Sequence, residues 1–276
     1  MTLRDVIRNA VEQRTPALAR AWRSLRDELH LARLRPQRTA HGFLFAGDRS
    51  MQDGTFEPDE TRIVRELLQR ADRLIDVGAN AGYYTAIARA SGRSAIAIEP
   101  SPANCRLLMH NLARNHWDDV EIWPMAVAAK PGLLPLYGAA TGATLVAGWN
   151  GISAQYRQLV PVTTLDTLIG DRFAGERLLV KIDVEGAEYD VLAGATKTAM
   201  RSPKPFWMIE ATYTLHAGPT GSSDARFLNT FDYFWSRGYE CRASHDQRTR
   251  VTREQLLEWM RQNALPTYNW FFAEQW

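Results

Sequence analysis

The chain has 276 residues, 45% of them hydrophobic, and its 33 basic and 31 acidic side chains leave a net charge of +2. This length suits one large α/β domain with an appendage, and this charge gives no overall reason to expect nucleic-acid binding. Cys105 and Cys241 lie far apart and outside any metal-binding spacing, which favours a reducing environment. No apolar run reaches transmembrane length and no signal-peptide core is present, so a cytoplasmic location is expected.

The first 40 residues form a predicted basic, helical N-terminal extension ahead of the main domain, residues 41–276. Leu18, Trp22 and Leu25 recur at helical spacing within an arginine-rich segment, which predicts an amphipathic helix. Such a helix could bind a membrane surface, a substrate or a partner, including a second copy of the chain in a homodimer. The favoured alternative is a helix that packs on the main domain and exposes a solvated basic face.

The main domain shows the alternation of strands and helices that is typical of a parallel, doubly wound α/β sheet. The predicted strands cover residues 41–45, 74–77, 95–99, 120–127, 178–183, 206–210, 239–242 and 270–273. One predicted helix covers residues 57–68, and three others begin after Gly82, Pro102 and Gly186. Residues 133–162, rich in glycine and small side chains, are predicted to form a loop that closes over a ligand.

Residues 76–82 form a glycine-rich turn between the first strand of this alternation and the helix that follows it. Gly78 is predicted to let a ligand approach the backbone, and Gly82 to allow close helix packing. Dinucleotide-binding turns have a glycine where Asn80 stands, and the charge of Asp76 would repel a pyrophosphate. An acidic group suits the cationic amino acid portion of S-adenosylmethionine, so the turn predicts that cofactor.

Glu99 closes the next strand, about twenty residues after the turn, where an acidic side chain commonly binds the two ribose hydroxyls of a nucleotide cofactor. The alternative is a carboxylate that caps the helix beginning near Pro102. The third strand ends near Ala126, whose small side chain could line the face of an adenine ring. Together these residues predict an adenosine site.

The reacting groups are expected at the carboxyl ends of the fourth and fifth strands, because ligands of doubly wound sheets bind there. Asp183 is predicted to orient or deprotonate a substrate hydroxyl, and Glu210 lies at the corresponding place on the next strand. The alternative is a structural ion pair between Lys181 and a carboxylate, with Glu185 and Glu188 in the first turn of a helix. We favour the catalytic interpretation for Asp183 and the structural one for Glu188.

Methyl transfer to oxygen needs a base, and His216, shortly after the fifth strand, is the first histidine candidate, followed by His41. Either histidine could instead be an ordinary surface residue. Asp183, Glu210 and His216 could also hold a divalent cation that acidifies a sugar hydroxyl. Because their spacing is not specific for a metal, no metal ligand is assigned.

Three segments resemble the FkbM family of methyltransferases: residues 74–84, then Glu99-Pro100 with Asn111 and Asn115, and residues 162–166 leading into the runs 180–188 and 192–195. The run Lys-Ile-Asp-Val-Glu-Gly-Ala-Glu, residues 181–188, is the most characteristic of the family. The resemblance implies a class I, Rossmann-like methyltransferase sheet that binds S-adenosylmethionine, with Tyr83 and Pro100 beside the cofactor.

The same resemblance implies an O-methyltransferase that acts on a hydroxyl of a sugar, as in a glycolipid, polysaccharide or glycosylated natural product, or of a polyketide or peptide. Acceptor specificity is expected from residues 138–151 with Trp149, and from residues 213–227, because these segments flank the cleft. Two alternatives remain at this point. One is a nicotinamide-dependent oxidoreductase, and the other is a protein that binds the cofactor without catalysis.

Overall fold

An eight-stranded mixed sheet lies at the centre of the protein, whose computed structural model describes residues 35–138, 142–147, 157–213 and 223–276. The strands are β1 (Gln37–Arg38), β2 (Leu44–Phe45), β3 (Arg73–Val77), β4 (Ser94–Ile98), β5 (Glu121–Trp123), β6 (Ala126–Val127), β7 (Gly132–Tyr137), β8 (Arg157–Thr163), β9 (Leu178–Ile182), β10 (Phe206–Glu210), β11 (Glu240–Ala243), β12 (Asp246–Val251) and β13 (Asn269–Ala273). The helices are α1 (Arg49–Asp53), α2 (Pro58–Leu68), α3 (Tyr83–Ala90), α4 (Pro102–Arg114), α5 (Leu165–Ile169), α6 (Glu188–Ala193), α7 (Thr196–Ala199), α8 (Ser223–Trp235) and α9 (Arg253–Gln262).

The order of strands in the large sheet is β12-β11-β13-β10-β9-β3-β4-β5. Strands β10, β9, β3, β4 and β5 are mutually parallel, whereas β13, β11 and β12 are joined by antiparallel pairing. The chain runs outward from β3 to β4 and β5, and later returns to place β9 on the other side of β3. This reversal opens a crevice at the carboxyl ends of β3 and β9, and it confirms the predicted doubly wound α/β fold.

Both faces of the central strands are apolar because both are covered. On one face, Val77, Val180 and Trp207 belong to the larger core cluster. On the other, Leu179 and Phe206 belong to a second cluster with side chains from α2 and α3. The polar side chains of these strands are therefore exceptions that need partners, and they lie near the crevice.

A small antiparallel pair, β1 with β2, confirms the strand predicted within residues 41–45. Two asparagines at the end of α4 hold it in place. The side chain of Asn115, the C-cap of α4, bonds both backbone groups of Leu44 at 2.8 and 2.7 Å, and Asn111 does the same for Ala46 at 2.8 and 2.9 Å. Gln37 belongs to the compact unit Gln37–Trp276, ahead of the predicted boundary at residue 40. Residues 1–34 lie outside the described part of the chain.

The prediction of one strand over residues 120–127 and of a loop over residues 133–162 is wrong in part. A turn after Trp123 separates β5 from β6, and β6 joins a separate sheet with the order β6-β8-β7. Strands β7 and β8 form an antiparallel pair at the two ends of the predicted loop. Their proline-containing sequences disguised the period-two pattern that buries Leu136 against Val160 and Val162.

Candidate active site

A cleft of about 970 Å³, including its open mouth, lies at the carboxyl ends of β3, β4, β9 and β10. Two predicted catalytic residues, Asp183 and Glu210, line it. Five predicted cofactor-binding residues also line it, namely Gly78, Asn80, Glu99, Pro100 and Ala126. The cleft thus combines the ends of strands on both sides of the reversal in strand order.

The glycine-rich turn has its tight shape because three residues adopt left-handed backbone conformations: Gly78 with φ 79°, Asn80 with φ 51° and Gly82 with φ 85°. A Cβ on Gly78 would lie 1.8 Å from the Asp183 carbonyl oxygen, so this glycine permits the close approach of the chain after β9. A Cβ on Gly82 would lie 2.2 Å from Leu108 of α4, in agreement with the predicted helix packing.

Asp76, Gly82 and Tyr83 lie behind the cleft and do not line it. The Asp76 carboxylate is buried and accepts hydrogen bonds from the Thr85 backbone and hydroxyl at 3.0 and 2.6 Å, which ties β3 to α3. Burial raises the pKa of Asp76, although Lys181 opposes the shift. Tyr83 packs among aromatic side chains of the second core cluster, and its hydroxyl lies 3.3 Å from that of Thr61.

Glu99 is held firmly at the end of β4. One carboxylate oxygen accepts from the Asn80 backbone at 2.8 Å, and the other accepts from the Ser101 backbone at 2.8 Å and from the Asn104 side chain at 3.2 Å. Burial raises its pKa, and these three donors oppose the rise. The helix cap proper is Ser101, whose hydroxyl accepts from the Asn104 backbone. Glu99 therefore links the turn to α4 and still faces the cleft.

Lys181 and two carboxyl groups meet at the ends of β9 and β10. Strand register places Lys181 beside Asp76, and its ammonium lies 3.0 Å from Asp183 and 3.8 Å from Asp76. Burial disfavours the charge on this lysine, yet Asp183 and Asp76 raise its pKa above the usual range. A hydrogen bond joins the carboxyl groups of Asp183 and Glu210, and the charge of Asp183, together with burial, raises the pKa of Glu210.

Glu57 is a cleft residue that the sequence interpretation missed. It immediately precedes α2 and accepts a hydrogen bond of 2.5 Å from the hydroxyl of Tyr84, which belongs to the first turn of α3. Burial raises the pKa of Glu57, while Tyr84 and Lys181 lower it. Its sequence neighbourhood signalled only the start of a helix, so no local pattern pointed to the cleft.

Glu185 and Glu188 both follow β9, but Glu185 lies in the turn and lines the cleft, whereas Glu188 begins α6. Glu185 lines the cleft with a left-handed φ of 55°, and its carbonyl accepts from the buried Thr144 hydroxyl at 2.7 Å. Glu188 is buried at the start of α6, where its carboxylate accepts from the Gly186 backbone at 2.8 Å. Its contacts match the structural interpretation that the sequence favoured.

Residues 76–241, more than half of the chain, match the family described as the methyltransferase FkbM domain. The chain belongs to the FkbM methyltransferase family. Membership makes it an S-adenosylmethionine-dependent methyltransferase and removes the nicotinamide-dependent alternative.

Solved structures similar to this FkbM methyltransferase include three bacterial proteins at low sequence identity. They are an O-methyltransferase from Bacillus cereus in complex with SAH (12% identity, 97% of this chain and 96% of that chain covered, TM-score 0.47), a putative O-methyltransferase from Klebsiella pneumoniae (10%, 86% and 88%, 0.43) and cofactor-bound Rv0187 from MTB (14%, 86% and 88%, 0.41). No curated protein matches the sequence. Identities and TM-scores this low add nothing to the family assignment.

The cleft of this FkbM methyltransferase fits S-adenosylmethionine by the chemistry of its walls. Glu99 presents a carboxylate to which ribose hydroxyls could donate, and Ile98, Met125 and Ala126 supply an apolar surface for an adenine ring. Across the turn, Glu57 and Asp183 supply acidic groups that suit a ligand with ammonium and sulfonium charges, and the Glu210 carboxyl group lies beside them.

Two other predicted residues, His41 and Tyr213, lie in the described part of the chain and do not line this cleft. His41 lies in a separate depression with Arg62 and Arg65, and burial lowers its pKa. Tyr213 is buried, and its hydroxyl donates to the Met260 carbonyl at 3.2 Å. His216 and Trp149 lie outside the described residues.

Within the described ranges, no group of three or more histidine, cysteine, aspartate or glutamate side chains is arranged to hold a metal ion. Asp183 and Glu210 form a pair of carboxyl groups there, and they carry no assigned cation. In the same ranges, no helix combines the length and apolar character needed to cross a membrane.

Proposed function

We propose that this FkbM methyltransferase transfers the methyl group of S-adenosylmethionine to a hydroxyl group of a saccharide or another small natural product. The observation that carries this proposal is the Asp183–Glu210 pair beside Lys181 at the cleft wall. Such a pair can accept a proton, as oxygen methylation requires. The family resemblance supports the acceptor class, and the apolar side chains Met51, Phe56 and Leu145 in the same cleft suit a compact organic molecule.

The three residues have different parts in this proposal. Lys181 donates a hydrogen bond to Asp183 and holds it at the cleft wall, where Asp183 is the proposed acceptor for the hydroxyl proton. Glu210 holds a proton because the neighbouring Asp183 charge raises its pKa, and it orients Asp183 through their hydrogen bond. The Asp183 side chain is 30% exposed, so an acceptor can reach it.

When bound, S-adenosylmethionine supplies an electrophilic methyl group on its sulfonium. Asp183 takes the proton of the acceptor hydroxyl while the hydroxyl oxygen forms a bond to the methyl carbon. The bond between that carbon and the sulfur breaks in the same step. The products are a methyl ether and S-adenosylhomocysteine, with the proton on Asp183. Charge is conserved, since the sulfonium is neutralised as the carboxylate gains its proton.

Asp183→Asn tests the proposal because it keeps the side chain's size and removes its basicity. We expect kcat to fall about 10²- to 10⁴-fold, while the Kd for S-adenosylhomocysteine changes less than about threefold. The acceptor is identified first, by incubating the wild-type protein with trideuteromethyl-labelled cofactor and panels of saccharides, polyketides and peptides. Mass spectrometry detects the label, and NMR shows whether it resides on oxygen.

The matched control is Asp232→Asn, an exposed aspartate paired with Arg253, and it should keep wild-type turnover. Full activity in Asp183→Asn would disprove the role of Asp183. A label on nitrogen or carbon would disprove O-methylation. Tight cofactor binding without labelling of any acceptor class would favour the non-catalytic alternative.

A further inference from the structure

Glu57 lies between α1 and α2 and has a backbone conformation that is unusual for a glutamate. It adopts φ 41° and ψ 61°, a left-handed conformation that costs a non-glycine residue on the order of 1 kcal/mol and that recurs at ligand sites. The surrounding structure maintains it, because Tyr84 donates to Oε2. Among the described residues this is the one hydrogen bond to the Glu57 carboxylate, so Oε1 is available to a ligand in the cleft.

The charges around Glu57 favour a positively charged ligand. The carboxyl groups of Glu57, Asp183 and Glu210 share the cleft wall, and Lys181 is the ammonium that acts on all three. That ammonium already donates to Asp183 at 3.0 Å and lies 3.8 Å from the buried Asp76. One lysine therefore serves more acidic groups than it can neutralise, and a second cation would relieve the excess.

The order of strands places this acidic region at a suitable distance from the ribose site. Glu99 follows β4 and Asp183 follows β9, and β3 separates these strands, so the backbones of the two residues are about 10 Å apart across the sheet. A nucleoside whose ribose binds Glu99 would extend its amino acid portion over Gly78 toward Glu57 and Asp183. Asp76, the acidic residue of the turn itself, is buried and does not line the cleft; its Oδ2 accepts from Thr85, and its Oδ1 lies 3.8 Å from the Lys181 ammonium.

We propose that Glu57 binds the ammonium group of the amino acid portion of S-adenosylmethionine, with Tyr84 as the residue that positions it. Asp183 and Glu210 are then left for the acceptor. This inference rests on the proposed function for the identity of the cofactor. It concerns binding alone, so a binding measurement tests it independently of turnover.

Calorimetry with two ligands gives the test. S-adenosylhomocysteine carries the ammonium, and its analogue with hydrogen in place of the α-amino group retains the adenosine and the carboxylate. Wild-type protein should bind S-adenosylhomocysteine at least about tenfold more tightly than the analogue, as expected for a charge-assisted hydrogen bond. Glu57→Gln should abolish that preference by weakening S-adenosylhomocysteine about tenfold or more while leaving the analogue within about threefold.

Two further variants separate charge from structure. Glu66→Gln, an exposed change on α2, the helix that Glu57 precedes, should keep both affinities. Tyr84→Phe retains the Glu57 carboxylate and should weaken S-adenosylhomocysteine less than Glu57→Gln does.

Equal weakening of both ligands in Glu57→Gln, or no weakening, would overturn the assignment of Glu57 and leave the proposed function intact. Equal affinity of the wild-type protein for the two ligands would also overturn it, whatever the stability of the variants. Failure of the wild-type protein to bind S-adenosylhomocysteine would refute both the assignment and the cofactor on which it rests.

Discussion

The carboxyl groups at the two ends of the cleft have different kinds of partners. At the ribose end, Glu99 accepts from three protein donors, so its position is fixed before any ligand arrives. At the acidic end, Glu57, Asp183 and Glu210 depend on Lys181 and on a shared proton. In the binding mode proposed above, the Glu99 end receives the ribose hydroxyl groups, and the acidic end receives the ammonium group and exchanges a proton.

Substitution of Lys181, the cation of the acidic end, should have the largest effect on stability. Lys181→Met leaves the buried Asp76 without its cationic neighbour, and we expect a loss of about 3–5 kcal/mol in the free energy of unfolding at neutral pH. Urea denaturation measures it. Lys197→Met, at an exposed site on α7, is the control and should change stability by less than about 0.5 kcal/mol. A cost below about 1 kcal/mol for Lys181→Met would show that the acidic end does not depend on this charge.

Much of this arrangement could be predicted from sequence because it depends on strand ends. Apolar runs located β3, β4, β9 and β10, and the rule that their carboxyl ends meet brought Asp183 and Glu210 together. Glu57 escaped prediction because its place in the cleft depends on how α2 packs against α3, which no local pattern records. The sequence predicted that Gly78 lets a ligand approach the backbone. It did not predict that the missing side chain also makes room for the Asp183 carbonyl.

Asp76 shows the limit of reasoning from charge alone. Its position two residues before the first glycine suggested a direct contact with a cationic ligand, but the carboxylate is buried outside the cleft lining, with one oxygen bonded to Thr85 of α3. The deduction that an acidic cleft selects a cationic cofactor stands, while the acidic groups that line the cleft are others. Burial of a side chain against its following helix is a tertiary property.

A substitution at the ribose end should weaken both ligands of the calorimetric test together. In Glu99→Gln an amide faces the backbone donors Asn80 and Ser101, and the acceptor for the ribose loses its charge. We expect S-adenosylhomocysteine and its deamino analogue each to bind about thirtyfold more weakly, equivalent to about 2 kcal/mol. Loss of affinity for the ammonium-bearing ligand alone would contradict the division of the cleft into two ends. Thermal unfolding of the variant, compared with Ser101→Ala, separates the loss of binding from the loss of the α4 start.

Substitution of Glu188 should have the smallest effect of these changes. It should alter stability and leave ligand binding unchanged, because Glu188 lies near the acidic end but does not line the cleft. Burial raises its pKa to about 7, from 4.5 in the unfolded chain. The folded state therefore holds a proton that the unfolded state releases, so this contribution to stability is complete below pH 4.5 and is lost as the pH rises through 7. As the pH rises from about 5.5 to about 7.5, the free energy of unfolding of the wild-type protein should fall by about 1–2 kcal/mol relative to that of Glu188→Gln. Urea denaturation at each pH measures the difference. The variant should bind S-adenosylhomocysteine like the wild type. An identical pH dependence in the two proteins would show that Glu188 is ionised when folded, and weakened binding would extend the acidic end of the cleft to include it.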